Sequence, residues 1–257
     1  MEADHEVVAV SEEQATVALS GMRDLVELAK RHPRNLSLFK DELLALATID
    51  LPTAESCSYA LPKDGKSIEG PSIRLAEIAA STYGNLHVGC RVLNDDGRFV
   101  YAEAVAFDMQ RLTQVTVRTK RRITKKNGDT YGEDMIQTTG NAAAAIAFRE
   151  AVFKVIPKAF IMSAYNDAMK LVAEKNQDNL PEAIKKSKAF FDSHKVEWND
   201  VLRFLSIDGD HEITGLHITR LRQIANGIKE GYDPSSYFGK KQPKVSKPLD
   251  MNEKGQE

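Results

Sequence analysis

The sequence predicts an α+β fold: an antiparallel β-meander with a basic hairpin, packed on helices, followed by a small C-terminal helical bundle. Three runs within residues 86–123 alternate apolar and polar side chains, the period of half-buried strands. Segments on either side of them space their apolar residues as helices do. Residues 181–238 keep helical spacing throughout, with no strand pattern.

Ser11 to Gln14 reads as a capping box, opening a helix in which Ala15, Leu19, Met22, Leu25, Val26 and Ala29 share a face up to His32-Pro33. A second helix over about 36–48 ends before Asp50-Leu51-Pro52. The short extended stretch SYALPKDGKS leads to a helix over 71–83, with Pro71 at the favoured first position and Gly84-Asn85 as its stop. LHVGCRVL, RFVYAEAVAFDM and QVTVRTKRRI then read as strands, divided by Asn94-Asp95-Asp96-Gly97 and by a break near Arg111.

Asn127-Gly128 is a hairpin signal and predicts a return strand over 131–139. A long helix over 140–154 follows, carrying AAAAIA and ending before Pro157, and a further helical stretch reaches Glu174. Residues 175–181 are polar and read as a linker. Beyond it, Ile184, Phe190, Phe191, Trp198, Val201, Leu202, Leu205, Leu216, Leu221, Ile224 and Ile228 support three short helices. Residues 239–257 are polar with two prolines and are expected to be disordered. The expected organisation is a helical arm (1–49), a core (50–175), a helical bundle (180–238) and a tail (239–257).

With 257 residues, 42% hydrophobic and 28% charged, the chain is long enough to bury a core. No apolar run approaches the ~20 residues that cross a bilayer, and the acidic start lacks the basic flank and apolar stretch of a signal peptide. Cys57 and Cys90 have no partner at a ligand spacing, which suits a reducing compartment and buried, unreactive thiols. The expected location is the cytoplasm. The net charge of −2 hides segregation: residues 1–70 carry 7 basic and 13 acidic groups, residues 71–170 carry 14 and 10, and residues 171–257 carry 14 and 14.

Catalytic motifs fail on inspection. Gly65-Lys66-Ser67 resembles the end of a phosphate loop, but Ala60 stands where that loop needs glycine. Asp208, Asp210 and Glu212 begin like a calcium loop, yet Ile213 and Thr219 occupy its glycine and glutamate positions. His211 and His217 have no thiolate nearby. Asp95, Asp96, Glu103, Asp108, Glu133 and Asp134 could be combined into a nuclease site, but two of these pairs sit at turns, where acids are common. No catalytic residue, metal or cofactor is expected.

The informative segment is 111–126, which holds Arg111, Arg118, Lys120, Arg121, Arg122, Lys125 and Lys126 and no acid. On a strand, Arg118, Lys120 and Arg122 project from one face at roughly 7 Å intervals, near the repeat of an extended phosphate backbone. The same cations would also solubilise an edge strand. On the residues alone the two readings stand level.

The order SYALPKDGKSIEGPSIRLAEIAASTYGNLHVGCRVLNDDGRFVYAEAV, basic hairpin, TGNAAAAIAFREAVFKVIPKAF resembles the phage single-strand DNA annealing proteins of the RecT, Redβ, Erf and Sak groups, which share a meander and packed helix with the eukaryotic Rad-fifty-two protein. The matching pieces are the strand at Tyr59, the helix carrying Leu75 and Ala76, its closing Gly84, and the late helix with Ala147, Arg149, Phe153, Lys154 and Pro157. The likeness covers about residues 55–165, and the AAAAIA run departs from the best-known members.

The resemblance implies ATP-independent binding and annealing of single-stranded DNA in phage-type recombination, by a homo-oligomeric ring or helical filament with a basic groove running across its protomers. It implies no enzymatic activity and no membrane association. Candidate contacts are the hairpin cations with Arg149, Lys154 and Lys158, and Thr138, Thr139 and Asn141 at a helix start where free amides would meet a phosphate. Arg74 is a further candidate. Spacing puts Lys154 and Lys158 on one helical face. Tyr59, Tyr101 and Tyr131 are stacking candidates, though strand aromatics are more often core. By the same analogy, the C-terminal bundle would dock a single-strand binding protein or an exonuclease. An RNA-binding or regulatory module and a metal-dependent nuclease are the alternatives.

Overall fold

The computed structural model describes residues 12–63, 66–125, 127–229 and 233–238. Ser11, Lys126 and the tail 239–257 therefore lie outside the described residues. Helix α1 spans Glu12–Arg31. Asn35 opens α2 (Leu36–Ala47), its side-chain oxygen accepting from the amides of Ser37 and Leu38 at 2.9 and 3.2 Å. Asp50 does the same for α3 (Leu51–Ser56), accepting from the Thr53 amide at 2.7 Å, with Pro52 in the first turn. This short helix was not expected; the extended stretch SYALPKDGKS follows it from Ser58.

Strands β1 (Ser58–Lys63) and β2 (Lys66–Pro71) pair as a hairpin. Pro71 ends β2, and the cap of α4 (Ile73–Tyr83) is Ser72, which accepts from the amides of Arg74 and Leu75. Gly84 closes α4 at φ +71°, a conformation favouring glycine.

The expected meander is present. Strands β3 (Leu86–Asp95), β4 (Phe99–Asp108) and β5 (Thr113–Arg122) form one antiparallel sheet in the order β3-β4-β5, with a register shift between Val92 and Asp95. One face is covered by α5 (Glu133–Val155). The alanine run explains how: Ala102, Ala104 and Ala106 of β4 meet Ala143, Ala144, Ala147 and Ala151 of α5, all buried. Small side chains on both sides bring helix and sheet close, and a Cβ at Gly140 would stand 3.3 Å from a Val92 methyl.

The return strand expected over 131–139 is instead the start of α5. Thr124 and Thr130 form an isolated bridge across the Asn127-Gly128 turn, and the chain then enters the helix. Gly132 stands at the N-cap, and Glu133 and Asp134 in the first turn complement the helix dipole. At the other end, Ile156 is extended at ψ 131° ahead of Pro157, so α6 (Lys158–Asp178) is a separate helix. The expected linker 175–181 is helical up to Asp178, because Val172 and Asn176 face the core of α2, α3, α4 and α6.

Contacts divide the chain into two units, Met1–Tyr59 with Gly70–Asn179, and Ala60–Glu69 with Leu180–Glu257. The second is built on α7 (Leu180–Ser193), α8 (Trp198–Leu205), a 3-10 turn (Asp210–Glu212), α9 (Gly215–Lys229) and α10 (Ser235–Phe238). Phe191, Val201, Ile218, Leu221, Ile224 and Tyr237 fill its core. Leu216, expected in that core, is 60% exposed, because Ile218 and Leu221 carry the inward face of α9. Within this unit Arg220 pairs with Glu69 at 2.6 Å and the Tyr237 hydroxyl donates to the Ala60 carbonyl at 3.4 Å, fixing the hairpin tip.

A Cβ at Gly227 would collide with the buried Tyr237 hydroxyl. Gly227→Ala is expected to displace Tyr237 and lower stability by about 1–3 kcal/mol in urea titration. An unchanged midpoint would contradict this packing.

Cys57 is buried, and burial pushes its thiol pKa up to about 11. Cys90, expected to be buried, is exposed on β3. Among the described residues no helix is long and apolar enough to cross a membrane, and no cluster of His, Cys, Asp and Glu is arranged to hold a metal ion.

Candidate nucleic-acid interface

Alternation on β5 divides its side chains. Val115, Val117, Thr119 and Arg121 turn toward α5, and the Thr119 hydroxyl donates to the Ala143 carbonyl at 2.9 Å. Gln114, Thr116, Arg118, Lys120 and Arg122 are exposed on the opposite face. The register places Arg122 beside Phe99, Lys120 beside Tyr101, Arg118 beside Glu103 and Gln114 beside Phe107 on β4. On the far side of β4, Arg91 pairs with Glu103 and His87 with Phe107. The open face is thus a set of cross-strand rows, cationic and aromatic at one end and apolar at the other.

Glu103 organises the middle row. Its two oxygens accept from Arg91 Nη2 at 3.2 Å and Arg118 Nε at 2.7 Å. Its side chain is 9% exposed, whereas those of Arg91 and Arg118 are 73% and 75% exposed, so the carboxylate lies under two outward-facing guanidinium groups. The hydrogen bond from Arg118 holds the Glu103 carboxyl below the usual glutamate range despite the opposing effect of desolvation. Lys120 and Arg122 have no carboxylate partner among the described residues, and both lie over the Phe99 ring, at 5.0 and 6.0 Å from its centroid. Tyr101 donates its hydroxyl to Asp96 at 2.8 Å.

The remaining candidates lie on other elements. Arg121 is half-buried on the α5 side of the sheet. Lys125 is exposed in the tight turn after β5, where its amide donates to the Asp129 carbonyl, and Lys126 lies outside the described residues. Arg111 is exposed in the β4–β5 turn, its amide bound to Asp108 at 3.0 Å. Arg74 is in an exposed ion pair with Glu77 at 2.7 Å.

Thr138, Thr139 and Asn141 do not stand at a helix start. With α5 beginning at Glu133, the Thr138 and Thr139 hydroxyls donate to the carbonyls of Asp134 and Met135 one turn back, and Asn141 is exposed further along the helix. The true first turn carries two carboxylates, which repel a phosphate. Arg149 stacks on Tyr59, 4.7 Å from its centroid. Lys154 is in the last turn of α5 and Lys158 opens α6, both exposed, so the rule that sets residues four apart on one helical face does not hold across the break at Pro157.

Sequence reasoning missed Arg91 and the role of Glu103. The signal lay in pairing LHVGCRVL with RFVYAEAVAF across the Asp95–Gly97 turn, which sets Arg91 opposite Glu103. Comparisons with family models, curated proteins and solved structures returned no match.

Proposed function

We propose that this chain binds single-stranded DNA along the open face of the β3–β5 sheet and anneals complementary strands without ATP. The observation that carries the proposal is the row Arg118, Lys120, Arg122, exposed together on one face of a strand with Phe99 and Tyr101 beside it. Cations at the strand repeat give sequence-independent affinity for phosphates, and nearby rings give bases a surface to stack on, while the DNA supplies its own pairing specificity. Annealing of this kind needs no bond-breaking chemistry.

β3 and β5 are the outer strands of the sheet, and their outward backbone groups suit edge-to-edge assembly of copies into a ring or filament. The second unit, with its own core, is the proposed docking module for a protein partner.

Annealing of complementary oligonucleotides in the absence of ATP tests the proposal. The expected result is a rate well above the spontaneous one, with magnesium leaving the strands uncut. A spontaneous rate, a requirement for ATP, or preference for structured RNA over single-stranded DNA would overturn it.

A further inference from the structure

At the apolar end of the open face, Met22 of α1 and the rows built on Val105 and Phe107 enclose a cleft of about 450 Å³. That volume lies in the range of small-molecule sites. Gly89 pairs with Val105, and a Cβ at Gly89 would meet nothing within 4 Å, so the β3 position of this row is left empty where the neighbouring rows carry a side chain. The result is an apolar space made by Met22, Val105 and Phe107, with Glu103 and Gln114 as hydrogen-bonding groups at its wall.

We propose that this cleft takes one unpaired nucleobase from the bound strand; the inference rests on the DNA-binding reading given above. A base has two apolar faces and a polar edge. Phe107 and the Met22 thioether suit the faces. The Gln114 amide, which donates and accepts, and the Glu103 carboxylate, which keeps further lone pairs beyond those used by the two arginines, suit the edge.

The row Arg91–Glu103–Arg118 belongs both to the cleft and to the cationic track, since Arg91 and Glu103 line the one and Arg118 ends the other. A phosphate seated on Arg118 therefore places a base beside the opening. One base per protomer leaves the strand sequence-tolerant and fixes its register on the sheet.

The test compares full-length wild type with Gly89→Val, using an oligonucleotide and its counterpart with abasic residues. Valine favours a strand and fills the empty Gly89 position. Wild type is expected to bind the normal oligonucleotide roughly 5- to 100-fold more tightly than the abasic one. In Gly89→Val that difference should shrink several-fold, leaving the share owed to stacking on Phe99 and Tyr101, with the salt dependence unchanged because the phosphate contacts remain. Phe107→Leu, which keeps apolar volume and removes the ring, reads the same difference should Gly89→Val not fold. Discrimination undiminished from wild type in the folded variant overturns the base pocket and leaves the DNA reading standing. Failure of wild type to bind either oligonucleotide overturns both.

Discussion

Replacing Arg34 with alanine is expected to lower the stability of the first unit by about 3–5 kcal/mol, the cost of leaving one partner of a buried ion pair uncompensated. Arg34 donates two parallel hydrogen bonds to Asp108 at 2.7 and 2.6 Å, the side chains are 4% and 2% exposed, and the guanidinium lies 3.8 Å from the Tyr83 ring centroid. Asp108 also accepts from the amides of Gln110 and Arg111. The pair ties the α1–α2 loop to the β4–β5 turn, and the Gln110 side chain reinforces it by accepting from the Arg34 amide and the Asn85 amide group. Urea unfolding should show a fall in midpoint with an unchanged slope.

The sign of the pH dependence follows from Asp108. Burial raises its pKa, but the hydrogen bonds from Arg34 and the two amides outweigh this and hold it below the usual aspartate value of ~3.9. A depressed carboxylate contributes stability that is present above the unfolded pKa and lost as pH falls through the folded one. The gap between wild type and Arg34→Ala should therefore be constant near neutrality and shrink in acid below about pH 4. A gap that is small at neutral pH or grows in acid would contradict the pairing.

The meander was legible because β3, β4 and β5 carry a period-two pattern and β3 and β4 are divided by the strong Asn94-Asp95-Asp96-Gly97 turn signal, while the break near Arg111 was less obvious. The helix starts were less legible. The Asn127-Gly128 turn forms and is bridged by Thr124 and Thr130, but Gly132, Glu133 and Asp134 stand in helix-opening order after it, so α5 takes the place of the expected return strand. That one error moved Thr138, Thr139 and Asn141 away from any helix terminus.

The cationic row followed from period-two alternation alone, whereas Glu103 beneath Arg91 and Arg118 needed cross-strand register, which no single strand encodes. The grouping of Ala60–Glu69 with the second unit depends on contacts distant in sequence, such as Arg220 with Glu69. Truncation near residue 178 would accordingly remove the partners of the hairpin tip as well as the bundle.

The most direct measurement of the central claim is the salt dependence of single-stranded DNA binding by the triple variant Arg118→Ala, Lys120→Ala, Arg122→Ala. Each phosphate contact contributes ~0.7 to the logarithmic slope for a single strand, so loss of three lowers it by roughly 2 units along with affinity. Circular dichroism should first show a native fold. The control replaces Lys40, Lys185 and Lys195, three exposed lysines on helices or turns outside the β3–β5 sheet's own strands. Lys188 is unsuitable for this purpose because it is bound to Asp210 and lies over Trp198. A drop of roughly 2 units in the sheet variant, with an unchanged slope in the control, is the result this account predicts. An unchanged slope in a sheet variant that instead aggregates would show that Arg118, Lys120 and Arg122 only solubilise an edge strand, and would contradict it.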